Sequence, residues 1–131
     1  MTFFVDADSC PVRIREIICK TAKRLQVPAV FAANRQIPIP KNAYCTTIVT
    51  EAEDQAADIY ILAHAVQGDM VITRDIPLAK QLVEAHIKVI NDRGVVYTAE
   101  NIGERLSIRN FMYELSVNGL APERTKVFGK K

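Results

Sequence analysis

The sequence predicts an α/β fold, a single-domain three-layer sandwich over residues 1–131 with a mostly parallel five-stranded sheet in the order 3-2-1-4-5. Three observations predict it. The length of 131 residues corresponds to one domain at roughly 100 to 200 residues per domain, large enough for a core of its own. Short β-prone runs alternate with segments whose apolar residues recur at helical spacing, the pattern of right-handed β-α-β crossovers. Proline, glycine and capping residues mark the boundaries between the two kinds of segment.

Taken in order, residues 2–5 form a short apolar strand. Pro11 then sits where the first turn of a helix tolerates it, with Ser9 or Cys10 as cap. Over residues 11–26, Ile14, Ile17, Ile18, Ala22 and Leu25 keep helical spacing, and Pro28 stops the helix. Residues 29–33 are a second strand, residues 37–41 a Pro-rich extended loop and residues 46–49 a third strand. Thr50-Glu51-Ala52-Glu53 fits a capping box that opens a helix over about residues 51–66, ending at Gly68. A fourth strand over residues 70–73, a helix over 77–86 and a fifth strand over 87–90 follow. The last helix spans residues 102–117, with Gly119 as C-cap and Pro122 beyond it. The basic end after about residue 122 is expected to be a flexible tail.

Composition excludes several classes. Apolar residues are 49% and charged residues 24% of the chain, so it is neither disordered nor fibrous. The longest uncharged apolar stretches fall far short of the roughly 20 residues of a membrane span. Asp6 interrupts the N-terminal apolar run before a signal-peptide core forms, and the expected location is cytoplasmic, with no membrane partner. Three cysteines, Cys10, Cys19 and Cys45, cannot all pair with one another and lack the close doublets of a zinc site, so reduced thiols are expected. The net charge of +2 hides a division: residues 51–100 hold four Lys/Arg against nine acids, whereas both flanking thirds are basic. The acidic middle is where a cation or an acid–base site belongs.

In such folds ligands bind at the carboxyl ends of the strands, where strand order reverses. Asp6 and Asp8 follow strand one and Asp75 follows strand four, so this order brings the three together. Each has a structural alternative, since Asp6 or Asp8 could cap the helix at Pro11 and Asp75 the helix at Pro77. Clustered carboxylates nevertheless repel unless a cation or a shared proton neutralises them. Asp58 precedes the apolar run Ile59-Tyr60-Ile61-Leu62-Ala63 and so borders buried surface, where it needs a partner. Glu51, Glu53 and Asp54 are nearby, Glu53 with its capping-box role. Oxygen donors without cysteine or histidine pairs select Mg²⁺ or Mn²⁺ over zinc.

Two basic residues are candidate substrate contacts. Arg74, beside Asp75, could hold a phosphate or could pair with Asp69 or Asp75. Arg13, sharing a helix face with Lys20 and Arg24, could track a nucleic-acid backbone or form an ordinary solvated face, and the same holds for Arg105 and Arg109. His64 and His86 lack partners at ligand spacing. Cys10 stands at a helix start that would favour a thiolate, but no histidine adjoins it, so a catalytic role is not expected.

Val5-Asp6-Ala7-Asp8-Ser9-Cys10-Pro11-Val12, Glu53-Asp54-Gln55-Ala56-Ala57-Asp58, residues 68–79, Asn91-Asp92-Arg93-Gly94 and Glu100-Asn101-Ile102 occur in this order. Together they resemble the bacterial YaiI/YqxD family over residues 3 to about 120. That family is similar, more distantly, to the PIN-like nucleases. The resemblance implies a PIN-like fold with Asp6 as the first carboxylate, Asp58 as the helix carboxylate and Asp75 as the one after strand four. The second PIN acid, a Glu on an earlier helix, has only Glu53 and Asp54 as candidates, and family members continue with a longer C-terminal segment. The implied activity is Mg²⁺- or Mn²⁺-dependent cleavage of RNA or DNA, with Asp6, Asp58 and Asp75 as ligands and Asp8 as ligand or general base. A PIN-like domain that binds RNA or protein without catalysis is the alternative. A haloacid-dehalogenase-type phosphatase, suggested by Phe4-Val5-Asp6-Ala7-Asp8, fits less well because Cys10 stands where that family has Thr or Val.

Overall fold

The computed structural model describes residues 1–51 and 56–117. Five strands, β1 (Phe3–Asp6), β2 (Ala29–Ala33), β3 (Cys45–Val49), β4 (Met70–Ile72) and β5 (Lys88–Ile90), form one sheet in the order β3-β2-β1-β4-β5. All four pairings are parallel. The central strand Phe-Phe-Val-Asp is buried on both faces, as a strand between two helical layers must be. Phe3 and Val5 face one layer, with Phe31, Cys19 and Ala22. Phe4 faces the other, with Ile61, Val71, Leu78, Leu82 and Ile102. The helices are α1 (Val12–Leu25), α2 (Ala56–His64), α3 (Ile76–Glu84) and α4 (Ala99–Val117). Core residues place α1 alone on the first face and α2, α3 and α4 on the second, the predicted three-layer α/β sandwich.

Several boundaries differ from expectation, each for a local reason. The first strand continues through Asp6, which pairs with Ala32, and a short 3₁₀ turn, Ala7–Ser9, intervenes before α1. That turn occupies the residues expected to cap the helix. Pro11 takes the N-cap position without a side-chain hydrogen bond, the Ser9 hydroxyl is turned toward Asp6 and Cys10 is buried in the core. Neither Asp6 nor Asp8 caps α1. Thr50 is fastened to the end of β2, its amide and hydroxyl both donating to the Ala33 carbonyl. Ala52 and Glu53 of the expected capping box lie outside the described residues, as do Asp54, Gly119, Pro122 and the expected tail. The helix bearing Asp58 ends at His64, and Gly68, at φ +100, belongs to the turn into β4 where a side chain would be strained. All three cysteines are unpaired and buried. Among the described residues no helix is long and apolar enough to cross a membrane.

Asp69 shows how β4 is brought beside β1. Its carboxylate is buried and accepts hydrogen bonds from the amides of Thr2, at 2.9 Å, and Val66, at 3.0 Å. It therefore ties the start of the first strand to the turn before the fourth. Asp69→Ala leaves both donors without this partner and is expected to lower stability by about 1–3 kcal/mol, measured as the shift in a urea unfolding midpoint. A midpoint equal to wild type would show that the latch contributes nothing.

Candidate active site at the carboxyl edge of the sheet

The reversal of strand order at β1 and β4 sets the site. In the parallel register Val5 lies opposite Ile72, so Asp6 and Thr73 leave the sheet side by side. The Thr73 hydroxyl donates to Asp6 Oδ2 at 2.8 Å and accepts from the Asp75 amide at 3.0 Å. The Ser9 hydroxyl also reaches Asp6 Oδ2, at 3.3 Å. Asp75 is the N-cap of α3, its Oδ1 accepting from the Leu78 amide at 2.9 Å. It is thus both the helix cap and a member of the cluster. Asp58, from the first turn of α2, lines the same cavity as Asp75. Asp8 lies beside the end of β2, where its Oδ2 accepts from the Asn34 amide at 3.1 Å and its Oδ1 lies 3.8 Å from Arg35 Nε.

These residues surround one open cavity of about 390 Å³ lined by Asp6, Asp8, Ser9, Asn34, Asp58, Arg74 and Asp75 together with Ala56 and Ala57. Its electrostatics follow from burial and crowding. Asp58 is pushed up to about 7, first by burial and then by the neighbouring Asp75, with Asp6 and Asp8 adding in the same sense. Burial also raises Asp6, opposed by the Thr73 hydroxyl and reinforced by Asp75. One proton held between Asp58 and Asp75 is the arrangement that relieves two facing carboxylates in the absence of a cation. Burial likewise raises the Cys10 thiol to about 11, which leaves it protonated and unreactive near neutral pH.

Arg74 pairs with neither Asp69 nor Asp75. Its Nη2 lies 2.6 Å from Asp92 Oδ2, because the turn after β5 places Asp92 beside it. The Arg74 side chain is 52% exposed and Asp92 only 9%, so the guanidinium is held from behind with part of its surface facing the cavity. Arg13, Lys20 and Arg24 are exposed on α1, and none of them lines the cavity. The charged residue of α1 that turns inward is Arg15, 6% exposed with Nε unpaired.

Among the described residues no three carboxylate, imidazole or thiol groups already converge on a single metal position. The donor set is an open one, four carboxylates around one cavity. Mg²⁺ suits that chemistry, since it keeps several waters and takes one or two carboxylates together with substrate phosphates. Glu53 and Asp54, the candidates for a further acid, fall outside the described residues.

Residues 4–131 match the family described as "Uncharacterized BCR, YaiI/YqxD family". The chain belongs to the YaiI/YqxD family. Its relatives include proteins named UPF0178 protein from Treponema denticola, 60% identical over all of this chain and 83% of that protein, and from Treponema pallidum, 56% identical over all of this chain and 74% of that one. Another, from Syntrophobacter fumaroxidans, is 50% identical over the whole chain and 86% of its own length. No solved structure matches the chain.

In this YaiI/YqxD protein, residues that sequence reasoning left unassigned hold the cluster in place. Thr73 sits in the quoted Thr-Arg-Asp run, and Asp92 in the quoted Asn-Asp-Arg-Gly run. Both were legible as parts of motifs, but neither spacing revealed a partner 67 or 18 residues away. The sequence marks Ser9 as a candidate cap of the first helix rather than as a partner of Asp6, and Asn34 carries no signal beyond proximity to a strand end. Thr73→Val removes the main hydroxyl that favours the charged form of Asp6, so the Asp6 pKa is expected to rise further. Carboxyl carbon NMR titration of wild type and variant checks this, and superimposable curves would remove Thr73 from the site's electrostatics.

Proposed function

We propose that this chain is a PIN-like, divalent-metal-dependent nuclease that hydrolyses phosphodiester bonds of RNA or DNA. The observation that supports it most is the facing pair Asp58 and Asp75, flanked by Asp6 and Asp8 at the carboxyl edge of β1 and β4. Charged groups are placed together at such cost where a cation is to be held. Asp58, Asp75 and Asp6 would hold Mg²⁺ or Mn²⁺. When bound, the cation would lower the pKa of a coordinated water and neutralise charge on the phosphate oxygens. Asp8, exposed at the rim, would serve as a further ligand or as general base. Arg74, backed by Asp92, offers a fork for a phosphate oxygen.

A binding-only reading has one observation in its favour, the open donor set. An aspartyl-phosphatase reading is disfavoured because Asp6 is 6% exposed and held by two hydroxyls, a poor position for in-line attack. The test is purified protein with single-stranded RNA and structured DNA, with and without Mn²⁺, alongside Mn²⁺ binding followed by electron paramagnetic resonance. Metal-dependent cleavage is the expected result. Binding of Mn²⁺ without cleavage would favour the binding-only reading, and hydrolysis of a phosphomonoester alone would favour the phosphatase.

A further inference from the structure

A second cavity, of about 530 Å³, opens beside the carboxylates and shares Asp58, Arg74 and Asp75 with the first. Its remaining wall is formed by Ile59 and Leu62 of α2 and by Ile76, Pro77, Leu78 and Gln81 of α3. The composition of α2 explains that wall. Its sequence, Ala-Ala-Asp-Ile-Tyr-Ile-Leu-Ala-His, is apolar nearly all round, yet only Ala57 and Ile61 are buried. Ile59 is left 64% exposed at the rim. An all-round apolar helix with one open side is expected to cover that side with something. A cleft of this size, with an apolar wall on one side and Asp58, Arg74, Asp75 and Gln81 on the other, has the character of a small-ligand site.

We infer that this cleft receives an unpaired nucleobase whose own phosphate lies at the carboxylates, an inference that rests on the nuclease reading above. Three features favour a base over a protein side chain. The cleft is continuous with the proposed phosphate site, so one nucleotide spans both. Arg74, held by Asp92 at 2.6 Å, stands on their shared wall, where a backbone phosphate passes from one to the other. Gln81 supplies a donor and an acceptor from one side chain, which matches a base edge. A base stacked and paired in a duplex offers neither its face to Ile59 nor its pairing edge to Gln81. The cleft therefore selects single strands or bases drawn out of a helix.

The test separates binding from cleavage. A fluorescent single-stranded oligonucleotide and its abasic counterpart are titrated by anisotropy in Ca²⁺ with wild type, Ile59→Ser and Gln81→Ala. Both positions are exposed, and unchanged melting temperatures confirm folding. Ile59→Ser is expected to weaken binding of the oligonucleotide about tenfold, and Gln81→Ala about threefold. The abasic strand is expected to bind all three proteins alike, and a duplex of the same sequence to bind wild type more weakly than the single strand. Equal affinity of wild type and Ile59→Ser for the oligonucleotide overturns the inference, as does a loss of the same size on the abasic strand. So does a wild type that binds no strand, and so does capture of a protein at this face with oligonucleotide affinity unchanged. Base-dependent binding without cleavage in Mn²⁺ would instead keep the cleft and sink the nuclease reading.

Discussion

Asp75→Asn and Asp6→Asn are each expected to reduce metal-dependent cleavage by about 10³-fold, the equivalent of several kcal/mol of transition-state stabilisation. Position 75 makes the test clean. Asn is as good an N-cap as Asp, so Oδ1 can still accept from the Leu78 amide while the neutral amide nitrogen donates to Asp58. The variant keeps the helix start and removes the need for a proton or a cation to be held against Asp58. Its metal-free form should therefore be no less stable than wild type, even as activity disappears. Cleavage rates and thermal melts on the same preparation check both halves. Full activity in Asp75→Asn would mean either that the charge is dispensable or that the cleavage came from a contaminant.

The second large effect is a linkage between protons, divalent ions and stability. Asp58 titrates near 3.8 in an unfolded chain and is pushed to about 7 in the folded protein. A raised carboxyl pKa means that the native state holds the proton more tightly. Its contribution is fully present below about pH 4 and is lost as pH rises through about pH 7. Asp6, also raised, acts in the same sense. Asp92, lowered by Arg74, acts in the opposite sense and only in more acidic solution. Between about pH 4 and about pH 7 the metal-free protein should lose stability, and Asp58→Asn should flatten that decline. Mg²⁺ or Mn²⁺ takes the proton's place, so its stabilisation should grow over the same window, reaching about 2.7 kcal/mol at a hundredfold excess over Kd. Melting curves across pH, with and without metal, measure this. A melting temperature indifferent to both ions at about pH 8 would remove the cation from the site.

The strand order and the helical layers were legible because the strands and helices are set by local patterns: a doubly apolar run at Phe3, Phe4 and Val5, and helical spacing from Ile14 to Leu25. Asp6, Asp8 and Asp75 could be singled out because the switch-point rule depends only on strand ends, and Asp58 because an apolar run follows it. What could not be read was the hydroxyl scaffold around Asp6 and the partner of Arg74. Those depend on which loops meet at one edge, and side chains at Thr73 and Asp92 carry no periodic signal. The inward turn of Arg15 was hidden for a related reason. Helical spacing assigns Arg13, Lys20 and Arg24 to one face and says nothing of Arg15, which tertiary packing draws inside.

The Thr73 to Asp6 hydrogen bond joins residues 67 apart in the chain, and β1 lies between β2 and β4. During synthesis the first strand can pair early with β2 but must hold its other edge open until more than half of the chain has followed. Loop closure over such a separation is slow. The carboxylates consequently do not exist as a cluster in any partly made chain that lacks β4. A fragment that stops short of residue 75 therefore lacks the cluster, whatever structure its first half adopts.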